Sequence, residues 1–267
     1  MAPRGYAQTV AEHSEAIQRA FTQQAPAFED PEFNRLFTVD SDWLFERLEL
    51  EADDVVLDVA AGTGHVARGF APRVRAVVAV DATTAMLERG WIEAKRAALR
   101  NVLFMRADAA ALPFVDGSFD VVVSRFALHH FEDPDVQVGE MRRVLRPGGR
   151  LAVADLICDP DPAIAATQNA LERLRDPSHT RMLPLDELAD LVGGSDVEFR
   201  DTERSLEPWL TQTQTSPEAA EEIRAALRAD LEGGEPTGFR PRDVGGDPRF
   251  LHTMASVIAA GTLLPGP

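Results

Sequence analysis

The chain has 267 residues, 45% of them hydrophobic and 27% charged, which is enough apolar material for one large α/β domain or two small ones. Its 44 acidic against 27 basic residues leave a formal charge of −17. That charge argues against nucleic acid and against anionic membranes as partners, since the bases form no cluster. A single cysteine, Cys158, excludes an intrachain disulfide and fits a reducing compartment.

Residues 8–24 carry helical spacing, with Val10, Ile17, Ala20 and Phe21 on one face, and Pro26 and Pro31 break the stretch after them. The N-terminal stretch lacks the apolar centre of a signal peptide, and no run is long enough to span a bilayer, so a cytoplasmic location is expected. Residues 40–48 read as a second helix behind an Asp or Ser cap. From Asp54 the rhythm changes. Apolar runs over 54–60, 76–81, 101–108 and 119–128 alternate with helical segments, and a fifth run over 149–157 follows the turn RPGG. Such alternation predicts parallel strands with right-handed crossovers, and the unbroken apolar character predicts a sheet covered on both faces. Ligands of a doubly wound sheet sit at the carboxyl ends of its strands. Beyond Pro160 the pattern predicts helices over 163–175, 185–192 and 217–232, a strand over 196–205 and a last strand in FLHTMASVIAAGT. We expect one domain over 1–267: N-terminal cap helices in 1–50, a ligand-binding core in 54–157, a substrate cap in 159–250 and the last strand in 251–262.

Chemistry concentrates at the predicted strand tips. In VLDVAAGTG the first run passes Asp58 and Ala60 and reaches Gly62 and Gly64 before a helix starts near His65. Glycine permits positive φ and close approach of a ligand, and the N–H groups of such a turn favour an anionic group. A tight βα turn takes glycine for its own sake as well. Asp81 ends the second run, where a carboxylate can accept from ribose hydroxyls or cap the next helix. Asp108 follows the third run, placed either to accept from an adenine amine beside the Ala109 N–H or to cap its own loop. Together these point to an adenosine-type ligand. A Tyr-x-x-x-Lys pair, which a nicotinamide enzyme of the short-chain type would need, is missing; the only tyrosine is Tyr6.

LDVAAGTG, VVAVD, RADAAALPFVDGSFDVVVSRFALHHFED and RVLRPGGRLAVAD, in that order over 54–157, resemble the class I S-adenosylmethionine-dependent methyltransferases, and most of all the type 11, ubiquinone-biosynthesis-like group. Ala60 stands where that family has its first loop glycine, an exchange common in the group. The resemblance implies an α/β fold with a doubly wound, seven-stranded, mostly parallel sheet and a helical cap. It implies S-adenosyl-L-methionine as cofactor, leaving as S-adenosyl-L-homocysteine, and methylation of O, N or C on a small molecule in natural-product or quinone biosynthesis. Asp58, Ala60, Gly62 and Gly64 would line the methionine half; Asp81 would hold the ribose; Ala82 and Met86 would pack by the adenine; Asp108 and Ala109 would read its edge; Ser124 or Arg125 would lie by the methionyl amine.

For transfer to a hydroxyl or protonated amine a base must take a proton. His129 and His130 follow the fourth run and Asp155 ends the fifth, so neighbouring strands would bring His129 and Asp155 together as a base with its orienting carboxylate. The resemblance to sugar and natural-product O-methyltransferases singles out the same pair. The plainer alternative has the histidines packed under the cofactor and Asp155 capping a loop. RDPSHTR (175–181) gathers Arg175, Asp176, His179 and Arg181 around a bend, either as a lid with His179 as a second candidate or as a solvated Asp-Pro turn. His13, His65 and His252 read as structural. Phe21, Phe28, Phe33 and Phe37 fit either a hydrophobic cap over the cofactor or a packed helix; Trp43 and Trp91 read as packing residues; Trp209 is open to a role in the substrate pocket. No metal site is expected: Asp155, Asp159 and Asp161 offer carboxylates for Mg²⁺, but Pro160, Pro162 and the lack of an Asp-Asn partner argue against it. A monomer and a homodimer fit equally, and so does a second class of function, a methyltransferase-fold isomerase or cyclase, or a non-catalytic cofactor-binding subunit.

Overall fold

The structure, a computed structural model, describes residues 15–30, 42–213 and 215–260. Five parallel strands carry the core: β1 (Val55–Val59), β2 (Ala76–Asp81), β3 (Val102–Arg106), β4 (Phe119–Arg125) and β5 (Leu145–Ile157). β6 (Asp196–Ser205) and β8 (Asp247–Ala260) complete a path ordered β3-β2-β1-β4-β5-β8-β6, in which β8 runs antiparallel to both neighbours. This is the expected seven-stranded, mostly parallel sheet, with one addition: the short β7 (Arg242–Val244) pairs with the start of β8 as a hairpin.

The helices are α1 (residues 15–24), α2 (His65–Phe70), α3 (Thr84–Arg96), α4 (Pro134–Val144), α5 (Pro162–Arg175), α6 (Leu185–Val192), α7 (Leu206–Thr211) and α8 (Pro217–Leu231). β1, β4 and β5 are apolar on both faces because both are covered. Val56, Val121, Val123 and Ala154 pack with Phe70 of α2 and with Trp43, Leu44 and Phe45; Leu57, Val122 and Val153 pack on the other side with Val138 and Met141 of α4 and Leu188 of α6. A separate cluster joins α5, α7 and α8 through Leu171, Trp209 and Ile223 to Phe239 and Phe250.

Three expectations need correcting. The segment predicted as a helix over 40–48 forms only a 3-10 turn at Asp42–Phe45, because three successive side chains, Trp43, Leu44 and Phe45, are all buried and no single helical stripe accommodates them. Trp91 is 52% exposed, with the Lys95 ammonium 3.8 Å above its ring, so it covers the surface of α3 rather than packing inside. The last strand starts at Asp247, ahead of the expected 251, so the segment 159–250 ends inside it. His13, Tyr6, Phe33, Phe37, the first half of the helix expected over 8–24 and the end of the last strand at 261–262 lie outside the described residues.

The strand order reverses between β1 and β4, and the turn after β1 lies at that reversal. α3 crosses this turn at Gly90, where a Cβ would stand 2.5 Å from the Thr63 carbonyl oxygen and 2.6 Å from the Phe104 ring. A backbone oxygen cannot yield as a flexible side chain can. Gly90→Ala should therefore destabilise the fold by about 1–3 kcal/mol, read as a lower urea midpoint at unchanged m-value; an unchanged midpoint would show that helix and turn do not touch as described.

Candidate active site at the carboxyl ends of the strands

At the reversal point the tips of β1, β2, β3 and β4 open into a cavity of about 590 Å³, within the size range of small-molecule sites. Its lining includes Asp58, Ala60, Gly62, Asp81, Ala82, Asp108, Ala109 and Arg125, eight of the residues proposed from sequence. The turn between β1 and α2 is left-handed three times over, with φ of 55° at Ala60, 56° at Gly62 and 72° at Gly64. Gly64 does not reach the cavity. Its role is local: it begins α2 in a conformation that L side chains rarely adopt, and a Cβ there would press on the Phe104 ring at 2.7 Å.

Asp81 makes the helix-start contact weighed from sequence and still borders the cavity. One carboxylate oxygen accepts from the Thr83 N–H at 2.8 Å, and the other accepts from the Gly62 N–H at 2.8 Å across the turn. The Thr83 hydroxyl and the Ala82 N–H add further hydrogen bonds to this carboxylate. Burial raises the Asp81 pKa, against those backbone N–H bonds. Asp58 is 1% exposed and accepts from the Ala67 N–H at 3.0 Å. Burial pushes its pKa up to about 7, opposed by the Arg125 charge. Asp108 accepts from the Ala110 N–H at 2.9 Å, the loop-capping contact, and remains on the cavity wall. Met86 lies behind the wall, packed on Ala25 and Phe28. The Ser124 hydroxyl donates to the Val59 carbonyl at 3.0 Å and ties β4 to β1.

His129 and Asp155 meet as their strands predict. Asp155 accepts from His129 twice, from the backbone N–H at 3.2 Å and from the ring Nδ1 at 2.5 Å. With the Nδ1 proton so held, the neutral ring carries its lone pair on Nε2, on a side chain that lines the cavity. Burial alone would lower the His129 pKa, but the Asp155 carboxylate beside it prevails and holds it above the ordinary value. His130 donates from Nδ1 to the Ser178 carbonyl at 2.9 Å and also lines the cavity. His179 stands behind His129, its ring stacked at 5.5 Å and its Nε2 donating to Asn169 Oδ1 at 2.9 Å.

Phe21 and Phe28 roof the cavity, the hydrophobic-cap alternative of the sequence reading, with Phe21 meeting the His130 ring edge-on at 5.1 Å. Other groups were not foreseen. His65, read as structural, also reaches the wall, and Glu29 pairs with the neighbouring Arg68 at 2.7 Å. From the cap come Arg175, Asp176, Arg204, Gln212 and Thr213. Only Arg175 and Asp176 drew notice in the sequence. Arg204, Gln212 and Thr213 lie on elements whose relation to the core no local pattern gives. Trp209 is wholly buried against Phe250 and Phe239, away from the cavity.

Comparison with known proteins agrees with this geometry. Residues 57–153 match the family model described as "Methyltransferase domain". The uncharacterized methyltransferase YcgJ of Bacillus subtilis is 34% identical over 185 residues, covering 67% of this chain and 73% of that protein. The chain belongs to the methyltransferase family. This methyltransferase-family protein also matches the demethylmenaquinone methyltransferase of Thermus thermophilus, at 33% identity over 77% of this chain and 89% of that one. The crystal structure of YcgJ superposes with a TM-score of 0.72 at 29% identity, over 83% of this chain and 97% of that one. Among the described residues, no helix is long and apolar enough to cross a membrane, and no group of three or more His, Cys, Asp or Glu side chains is placed to hold a metal ion.

Four histidines are held neutral by burial: His65 and His179 with pKa values down to about 3, His130 and His252 down to about 4. Each takes up its proton near pH 6.5 when unfolded but not when folded, so the stability it contributes is present above pH 6.5 and is lost as pH falls toward 4. His129, Asp58 and Asp81 are raised and oppose this. At about 1.4 kcal/mol per pH unit for each fully shifted group, the four histidines outweigh the three. The Tm should drop between pH 7 and pH 5 in differential scanning calorimetry, and a Tm that held or rose would contradict the neutral assignment.

Proposed function

We propose that this protein transfers the methyl group of S-adenosylmethionine to an oxygen of a small-molecule acceptor, with His129 as the base. One observation carries the reading: the acids Asp58, Asp81 and Asp108 and the lone pair of an Asp155-held histidine all open onto one cavity at the strand tips.

The residues present fit that cofactor. The left-handed turn from Ala60 to Gly64 leaves room for a ligand against its backbone. Asp81 borders the cavity where a ribose hydroxyl can reach its carboxylate, and Asp108 with the Ala109 N–H can read an adenine edge. Asp58, beside the turn, can meet the methionyl ammonium. When bound, S-adenosylmethionine supplies an electrophilic methyl carbon whose sulfur departs as a neutral thioether. His129 Nε2 accepts the hydroxyl proton, and the Asp155 carboxylate keeps the ring in the tautomer that can do so and stabilises the imidazolium. His179 acts through its stack on His129 as a positioning residue. Phe21 and Phe28 exclude water from above.

Titration calorimetry with S-adenosylhomocysteine tests the reading, and absence of binding would overturn it. Asp58 must ionise to meet the ammonium, so affinity should rise between pH 6 and pH 8, by up to about tenfold per unit below its pKa near 7. In Asp58→Asn both the affinity and its pH slope should be lost, while a slope that survives would assign it to another group.

His129→Gln should leave the affinity for S-adenosylhomocysteine unchanged and lower kcat by about 10²–10⁴-fold. Full activity in this variant would mean that alignment alone suffices for transfer.

A further inference from the structure

The cap side of the cavity differs in character from the side that faces it. Among the described residues, every side chain the cap places on the wall is polar: Arg175, Asp176, Arg204, Gln212 and Thr213. These groups are braced on one another. Arg204 Nη2 donates to Gln212 Oε1 at 2.7 Å, Arg175 Nη1 donates to the Thr213 hydroxyl at 3.3 Å, and that hydroxyl donates to the Arg175 carbonyl at 2.8 Å. The Ser178 hydroxyl donates to Asp176 at 2.5 Å and its N–H at 2.9 Å.

Arg175 is matched close at hand: it donates from Nε to the buried Glu172 at 2.9 Å and lies 4.0 Å from Asp176. Arg204 is bonded to the neutral Gln212, so the wall mixes charged and neutral donors with carboxylate, amide and hydroxyl acceptors. A solute whose groups both donate and accept matches the alternating donors and acceptors, and hydroxyl groups do both. An isoprenoid tail laid on the same wall would strip water from guanidinium, carboxylate and amide groups without replacing its hydrogen bonds. The N-terminal segment adds Ile17, Phe21 and Phe28 to the lining, beside Gln18 and Gln24, and the two phenyl rings suit the C–H face of a saturated ring.

We propose that the acceptor is a polyhydroxylated ring compound, a sugar, cyclic polyol or glycoside. Its C–H face lies on Phe21, its spectator hydroxyls engage the Arg175–Asp176–Arg204–Gln212–Thr213 wall, and one hydroxyl faces His129. That oxygen forms the bond to the methyl carbon, the C–S electron pair leaves with the sulfur, and the hydroxyl proton passes to His129 Nε2. The proposal rests on the methyltransferase reading given above.

The test is transfer of labelled methyl from S-adenosylmethionine to myo-inositol and to p-nitrophenyl glucoside, galactoside and rhamnoside, beside a naphthoquinol with a short prenyl tail. We expect at least one hydroxylated probe to be methylated with kcat/KM tenfold or more above the quinol. A quinol methylated equally well or better overturns the proposal, as does failure of every hydroxylated probe with protein that binds S-adenosylhomocysteine. Protein that does not bind S-adenosylhomocysteine strikes the underlying reading instead. On the best hydroxylated probe, Gln212→Leu and, separately, Arg204→Met should raise KM tenfold or more with kcat and S-adenosylhomocysteine affinity held. An unchanged KM in both variants also overturns the assignment of this wall.

Discussion

The Asp81 carboxylate bridges two pieces of backbone at the tip of β2. One oxygen takes the N–H of Gly62 in the turn after β1, and the other takes the N–H of Thr83 at the start of α3. Backbone N–H groups at a turn and a helix start have no partner of their own and must find one. A single charged acceptor satisfying both fixes the turn against the tip of β2, and the Ala61 N–H to Val80 carbonyl bond at 2.9 Å closes the same joint. Once the turn is fixed, α3 can lie against it at Gly90, and the cavity gains a wall of backbone rather than of mobile side chains. The cost is a carboxylate kept in a largely buried place, visible in its raised pKa. A carboxylate so placed favours hydroxyl donors from a ligand, since they would stabilise the charge that burial disfavours.

Histidine protonation at the site is arranged by the same balance between burial and neighbouring charge. His129 lies within ring contact of both His130 and His179, with centroids 4.2 Å apart for the first pair. Three imidazolium ions at that spacing would repel strongly. The structure divides the roles by partner type. His129 faces a carboxylate and is raised; His130 and His179 donate to neutral oxygens, of a backbone carbonyl and of Asn169, and burial lowers them. Of the three, only His129 stands beside a carboxylate that favours its taking up a proton, and it is the one at the cavity wall held by Asp155. Its neighbours supply shape and hydrogen bonding without competing for charge.

Much of this was legible in the sequence where the signal is local or follows from strand pairing. Asp58, Asp81 and Asp108 mark strand tips, and parallel neighbours brought His129 to Asp155 because β4 and β5 are consecutive and adjacent. The bounds of α6 and β6 match their predicted ranges residue for residue. What escaped depends on contacts distant along the chain. Arg204 and Gln212 reach the cavity only because β6 pairs with β8 and α7 turns back beneath it. Trp209 looked available for a pocket because a lone tryptophan carries no sign of its neighbours; its packing against Phe239 and Phe250 needs the hairpin that residues 242–250 form. The 3-10 turn at Asp42–Phe45 escaped for a different reason: its apolar residues are adjacent rather than spaced, and tertiary burial overrode helical propensity.

β8 explains how the cap can be accurate enough to matter. Its first residues belong to the cap cluster through Phe250, its middle reaches one face of the sheet through Met254, and Ala255 and Val257 pack into the other. One continuous strand thus belongs to three hydrophobic assemblies, so the cap wall inherits its position from the sheet. The buried polar joint beside it serves the same end. Glu172 of α5 accepts from His252 Nε2 at 2.8 Å and from Arg175 Nε at 2.9 Å, with its pKa held well below the ordinary value although burial opposes this. Buried ion pairs contribute little net stability compared with apolar packing, but they tolerate few alternative geometries. Here the joint pins Arg175, a cavity residue, to the same strand that carries the core. Placing a hydroxyl within reach of His129 Nε2 requires the two walls to agree to within about half an ångström, and a shared strand with a directional ion pair provides that agreement where a flexible linker would not.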